Sequence, residues 1–427
     1  MKHIKLYKIV IISILALFLL AVACASCIAY KFYKYADYTI KIGENLPDTF
    51  RVELPLWIDS ISGYFCIHGT INHQEGMNFL IDNKANSVVV QEDIQRLGAL
   101  YWGKVPFSGG NAYGQNHQSN YYMFDNFTIA SINFGQPLFC NISQGDYIYN
   151  TLKEEHKNLL GSNILEQLFW KFDVDEKKLV LCSKKDTTFI AQETNGYTRI
   201  ENALNVFEKV SLQFLQTNTS EKFIFDLGYS GEVEINKKQF QQLAKNLPYK
   251  LISKLSPVAK KQDMVAVFDD VTIQWVNIQI PHCQVIYNSG VNLNCIGAAL
   301  MHRFNFILAY GDRIKHTPQQ HLYIQPVKNF QTLKSKPYIS DFGFNFENKE
   351  GRPIISGIEI GGVAEIAGLK LEDKLLHVDN GAFNLNRENA KNELTTYLSN
   401  KENVEVQIER EGQIINFLLT RSINLGN

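Results

Sequence analysis

The sequence predicts a mainly β protein: two copies of one β unit in tandem, then a smaller α+β domain, behind an N-terminal membrane-spanning helix. Three observations predict it. A long uncharged apolar run opens the chain. Two later segments share a layout of apolar strand, aspartate, turn, strand and helix. The C-terminal stretch carries a different pattern, ending in a hairpin.

The chain has 427 residues, enough for two to four domains. Hydrophobic residues make up 45% and charged residues 20%, the balance of a protein with sizeable cores. The 20 Tyr and 27 Phe suit β structure. A formal charge of −1 gives no electrostatic footprint for a polyanion, so no nucleic-acid partner is expected.

Residues 1–34 form the first element. "MKHIKLYK" carries three lysines, and residues 9–30, "IVIISILALFLLAVACASCIAY", carry no charge. Spanning a bilayer takes about 20 apolar residues, and a cleavable signal has a shorter apolar region of about 7–15. An uncleaved signal anchor is therefore expected, with the folded domains on the extracytoplasmic side, periplasmic or extracellular. A cleaved signal, or lipidation at Cys24 after "LAVA", leads to the same side. Residues 31 to about 50 read as a linker. Beyond the apolar run lie Cys66, Cys140, Cys182, Cys283 and Cys295. They are widely spaced, without CxxC, so neither a disulfide framework nor a zinc site is indicated.

From residue 50 onward short alternating runs broken by Gly, Asn and Asp read as strands and hairpins. "EDIQRLG" (92–98) and "NKKQFQQLAKNL" (236–247) are the better helices. An internal repeat organises them. "MNFLIDNKANSVVVQEDIQRL" and "EKFIFDLGYSGEVEINKKQFQQL" align on Asp82 and Asp226, 144 residues apart (226 − 82). At the far end of each unit, Leu159-Leu160-Gly161 and Cys295-Ile296-Gly297 each precede a short helix and a strand. Asp to Gly spans 79 residues (161 − 82) in one unit and 71 (297 − 226) in the other. Residues 50–185 and 200–328 are read as two copies of one unit. Asp173 with Asp175, and Asp269 with Asp270, read as surface hairpin residues. "PFSGGNAYGQN" (106–116) reads either as a flap over a cleft or as an exposed glycine-rich turn. "LKSKPYIS" (333–340) reads as a linker.

Residues 336–423 form the last domain. "FGFNF" alternates as a strand, "RENAKNELTTYLS" (387–399) has helical spacing, and "VEVQIEREGQIINFLLTR" is a hairpin turning at Glu411-Gly412.

At "IDNKAN" with "LLG", and "FDLGYSG" with "CIG", the sequence resembles the retropepsin-like aspartic peptidases, over about residues 50–328. "GGVAEIAGLKLEDKLLHVDNG" resembles a PDZ domain, with Glu372-Asp373 where Gly-Asp is usual. The resemblance implies two retropepsin-like β-barrel lobes in tandem followed by a PDZ domain. It also implies that the lobes face each other and share Asp82 and Asp226 as a catalytic dyad, supported by Asn83, Gly228, Ser230, Gly161 and Gly297. No metal or other cofactor is implied. Two carboxyls in contact cannot both ionise easily, so one keeps a proton. The ionised one activates water while the protonated one donates to the peptide carbonyl. Two departures stand out. Asp-Thr-Gly has become Asp82-Asn83-Lys84 and Asp226-Leu227-Gly228. A lysine is strained if its position needs a positive φ, and its ammonium favours two ionised carboxylates. The functions implied are an aspartic endopeptidase acting on polypeptides or, on the same frame, an inactive homologue that binds peptide or serves as a scaffold. The PDZ resemblance implies capture of C-terminal peptides by strand addition at Phe342, Gly343 and Phe344. One chain supplies both aspartates, so a monomer is expected.

Overall fold

In the computed structural model, residues 14, 17–31, 33–35, 38, 42, 46–60, 62–110, 116–141, 157–204, 209–256, 262–310, 320–349, 351–386, 390–399 and 401–421 are described. Over these residues the molecule is mainly β, with one helix long and apolar enough to cross a membrane among them, Leu17–Tyr35. Leu17, Phe18, Leu19 and Leu20 of that helix are exposed, so it contributes nothing to a core there. The segment after it departs from expectation. Tyr38, Ile42 and Leu46 pack into the first unit, the last two fully buried, so this stretch is bound to the fold instead of spanning free space.

In the first unit, strand Gln74–Ile81 carries Asp82 at its end. It lies between Phe65–Ile71, antiparallel, and Lys157–Leu160, parallel, with Leu160 opposite Ile81. Helix Gln91–Arg96 follows, then the hairpin Leu100–Gly110 with Asn116–Met123. Residues 111–115 of the glycine-rich stretch lie outside the described residues, while Gly109 and Gly110 pair with His117 and Asn116 in its arms. The second unit repeats the plan. Strand Thr219–Phe225 carries Asp226 and pairs in parallel with Cys295–Ile296. Helix Lys237–Leu243 follows, its first turn capped by the Asn236 side chain. Then comes the hairpin Lys250–Leu255 with Gln262–Trp275.

A six-stranded sheet joins the units. Its order is Arg51–Pro55, Lys178–Ser183, Leu168–Asp173, Phe304–Ala309, His321–Pro326, Thr198–Ile200. At its centre Trp170 lies opposite Leu308 and Phe172 opposite Phe306. The rings of Phe172 and Phe306 stack at 4.3 Å, and Phe65 meets both edge-on. One apolar core therefore runs through both units, which fixes their relative position. Asp175 also crosses the seam, accepting from Asn305 Nδ2 (2.8 Å) and the Lys328 N–H (3.1 Å).

The C-terminal domain has its own core around Phe344, Phe346, Leu375, Leu394 and Ile408. Its closing hairpin, Asn403–Arg410 with Gln413–Thr420, turns at Glu411 and Gly412, both with positive φ, as a two-residue hairpin loop requires. Strand Arg352–Glu359 of this domain adds itself to the outer edge of Lys250–Leu255, pairing Ile252 with Glu359 and Lys254 with Gly357. The Ile360 N–H continues the ladder to the Leu251 carbonyl (2.7 Å). The connector 333–340 is likewise held down. Arg303, buried with Glu232, donates to the Leu333 carbonyl (2.9 Å) and Ser335 Oγ (3.2 Å), and Ile339 is buried among Ile252, Val265, Val267 and Ile286.

Candidate active site

The site is built by two parallel strand pairs meeting at the seam. The Asp82 N–H donates to the Leu160 carbonyl (3.0 Å), and the Asp226 N–H donates to the Ile296 carbonyl (2.8 Å). Each apolar-apolar-Gly strand thereby anchors one aspartate. Its glycine follows for a steric reason. A Cβ on Gly161 would collide with the backbone of Asn86 and Ser87, and one on Gly297 with the carbonyls of Tyr229 and Gly231. Both glycines therefore permit close approach of the aspartate loop.

The loops bring the two carboxyls into hydrogen-bonding contact. Both residues are half-buried. Asp82 Oδ1 accepts from the N–H groups of Lys84 (2.8 Å) and Ala85 (2.9 Å); Asp226 Oδ1 accepts from the Gly228 N–H (2.8 Å). A Cβ on Gly228 would run into the Asp82 carboxyl, so glycine is what lets the two loops touch. Asn83, fully buried, grips the opposite unit with both ends of its amide. Nδ2 donates to the Phe225 carbonyl (3.1 Å) and Oδ1 accepts from the Leu227 N–H (2.7 Å). Leu227 is apolar and buried and returns no such bond, so the grip is one-sided. Ser230 is exposed, and its hydroxyl makes no hydrogen bond among the described residues.

Burial drives the electrostatics. It pushes Asp226 up to about 7, helped by the adjacent Asp82 charge and opposed by the Gly228 N–H and Lys84. Burial also raises Asp82. There it is opposed by the two loop N–H groups, the Lys84 charge and the hydrogen bond from Asp226. The bond between the carboxyls favours the anion on Asp82 and the proton on Asp226. Lys84 does not have a positive φ, so the expected backbone strain is absent. Its Nζ lies 3.5 Å from the Ala203 carbonyl of the second unit. Burial lowers its own pKa, against the attraction of Asp226 and Asp82. Its charge moderates the dyad without erasing the shared proton.

Other residues complete the site without a motif to announce them. Ser87 Oγ accepts from the Gly161 N–H (2.9 Å), and Asn163 Oδ1 accepts from the Ser87 N–H (2.8 Å). The Tyr229 ring fills the space where side chains on Gly231 and Gly297 would stand. Its hydroxyl bonds Glu234, which burial pushes up to about 7. The only sequence signal for these residues is their nearness to the aspartates or, for Asn163, to Gly161. A cavity of about 710 Å³, lined by Asn277–Gln279 and Pro326–Thr332, involves none of the site residues.

The three residues of the expected peptide cradle stand at the start of strand Phe344–Lys349. Gly343 has φ +74°. Its N–H donates to the Ser340 carbonyl (2.8 Å). Ser340 Oγ accepts from the Phe344 N–H (3.3 Å) and donates to the Phe344 carbonyl (2.7 Å). Ser340 thus occupies the edge on which an added strand would pair. Phe342 and Phe344 are fully buried in the domain core.

No family model matches the sequence, and no curated protein matches it. Among solved structures, the chain is similar to the crystal structure of a retropepsin-like aspartic protease from Rickettsia conorii. The identity is 18%, over 33% of this chain and 96% of that one, with a TM-score of 0.23.

Proposed function

We propose that the chain is a membrane-anchored aspartic endopeptidase with its folded domains outside the cytoplasm. The observation that carries this reading is the contact of Asp82 and Asp226 at the seam, with one proton held to about pH 7. Asp82, ionised, takes a proton from a water molecule as its oxygen adds to a peptide carbonyl. Asp226 gives its proton to the carbonyl oxygen. Collapse of the tetrahedral adduct breaks the C–N bond; the proton taken by Asp82 goes to the leaving amine, and a hydroxyl proton of the adduct returns to Asp226. Asn83 holds the two loops in register and Gly228 keeps their separation short. The site is complete within one chain, so a monomer suffices. The PDZ-like tail takes C-terminal peptides at Phe342, Gly343 and Phe344 once Ser340 is displaced.

The test is cleavage of an unfolded protein by the full chain in detergent at mildly acidic pH, beside an Asp226→Asn variant. Losing the general acid costs about 10²–10⁴-fold in rate. Equal rates in the two proteins would remove the dyad. The second reading, an inactive homologue that binds peptide, is favoured by Lys84, whose charge works against the shared proton. Absence of cleavage in both proteins decides for it.

A further inference from the structure

The membrane helix and the aspartate loop are joined without slack. Tyr35, the last residue of the helix Leu17–Tyr35, donates its hydroxyl to Asn86 Oδ1 (2.9 Å), four residues beyond Asp82 on the same loop. Asn86 Nδ2 in turn donates to the Tyr121 hydroxyl (2.9 Å). The Tyr35 ring lies against Tyr121 at 4.9 Å and Trp102 at 6.5 Å. Tyr38 continues the seam, packing on Trp102 at 6.3 Å and donating to the Gln136 carbonyl (2.7 Å). Trp102 and Tyr121 belong to the two arms of the first-unit hairpin. The contact therefore reaches both the aspartate loop and the hairpin beside it.

Heights follow from helix geometry. The uncharged run ends at Tyr30, and Tyr30 and Tyr33 are exposed, as aromatic residues at a lipid–water boundary are. At about 1.5 Å per residue, Tyr35 stands roughly 8 Å beyond that boundary. The headgroup layer is about 5–8 Å thick on each side. The aspartate loop, one side chain away from Tyr35, therefore lies at the top of the headgroups. An extended chain covers about 3.3 Å per residue, so three to six residues lead from the lipid to the dyad.

We propose that the substrates are membrane-tethered polypeptides, cut within about ten residues of the lipid surface, because the end of the membrane helix is bonded to the aspartate loop itself. A soluble segment of the same sequence has no tether to raise its local concentration at the cleft. This rests on the anchored-peptidase reading above.

The test uses the full chain reconstituted in phosphatidylcholine vesicles. Single-pass reporters carry one cleavable segment at 5, 9 or 40 residues from their own span. Cleavage of the two near segments at least tenfold faster than the far one is expected. Equal rates at all three positions would overturn the inference and leave the peptidase standing. A second measurement needs no activity. A fluorophore on Lys104→Cys, an exposed position two residues beyond Trp102 in the hairpin that Tyr35 packs on, with Cys24 and Cys27 replaced by Ala, should be strongly quenched by a quencher on the lipid headgroups. An unquenched probe would overturn the inference even if no reporter is cut.

Discussion

Lys84 and Asp226 set the pH behaviour of the site. Catalysis on this account needs Asp226 protonated and Asp82 ionised. The Lys84 charge lowers both carboxyls. Replacing it by glycine, as in Lys84→Gly, should therefore move the alkaline limb of kcat/KM to higher pH. An unmoved limb would mean that the ammonium does not act on the dyad. Stability gives a separate check. In the unfolded chain an aspartate ionises near 4, whereas Asp226 keeps its proton to about 7 in the fold. The fold therefore loses stability as pH climbs between those values, and the loss is complete above 7. Asp226→Asn should melt higher than the wild type at pH 8 and no higher at pH 4. Asn83→Ala leaves the Leu227 N–H and the Phe225 carbonyl without their partner, at a cost of about 1–3 kcal/mol. A Tm unchanged by that substitution would contradict the cross-lobe grip. At this scale the sequence singled out the two aspartates, Gly161 and Gly297 because a tandem repeat aligns them, and Gly228 through the family resemblance alone, since Lys84 stands at its place in the first unit. It did not show Tyr229, Ser87 or Tyr35, whose roles depend on which distant backbone each one meets.

At the scale of elements, the two units use their hairpins differently. Both hairpins follow the aspartate loop and a short helix. The first, Leu100–Gly110 with Asn116–Met123, pairs with Leu138–Cys140 of its own unit. The second, Lys250–Leu255 with Gln262–Trp275, is extended on its outer edge by the C-terminal domain. Strand addition of this kind holds a sheet edge by its backbone groups. Lys254 reinforces it, its ammonium 3.3 Å from the Tyr338 hydroxyl. Replacing the donor at the end of the ladder, Ile360→Pro, should speed amide hydrogen exchange in residues 250–255. Exchange as slow as in the wild type would show that the docking does not protect the hairpin. Ser340→Ala frees the edge at Phe344 and should tighten binding of C-terminal peptides to the tail; weaker binding would count against the cradle. Strand alternation, the helix in 236–247 and the Glu411-Gly412 turn were legible in the sequence because they are local. The docking strand was not, since its pairing joins residues about a hundred positions apart in the chain and no local pattern specifies it. The connectors at 31–50 and 333–340 read as linkers for the same reason. Their apolar residues, Ile42, Leu46 and Ile339, are too few to announce a core.

At the scale of the whole molecule, one continuous core fixes the two units and places the aspartates at their seam. The helix end grips one unit and the C-terminal domain grips the other. The two aspartates thus lie in a body held by the helix end on one side and by the C-terminal domain on the other. The most direct measurement of the central claim is the rate at which the full chain cleaves an unfolded protein from pH 4 to 9, alongside Asp82→Asn. The account predicts a rate that falls as pH passes about 7 and is absent from the variant. A rate that rises through 7, or one that Asp82→Asn leaves unchanged, would contradict it.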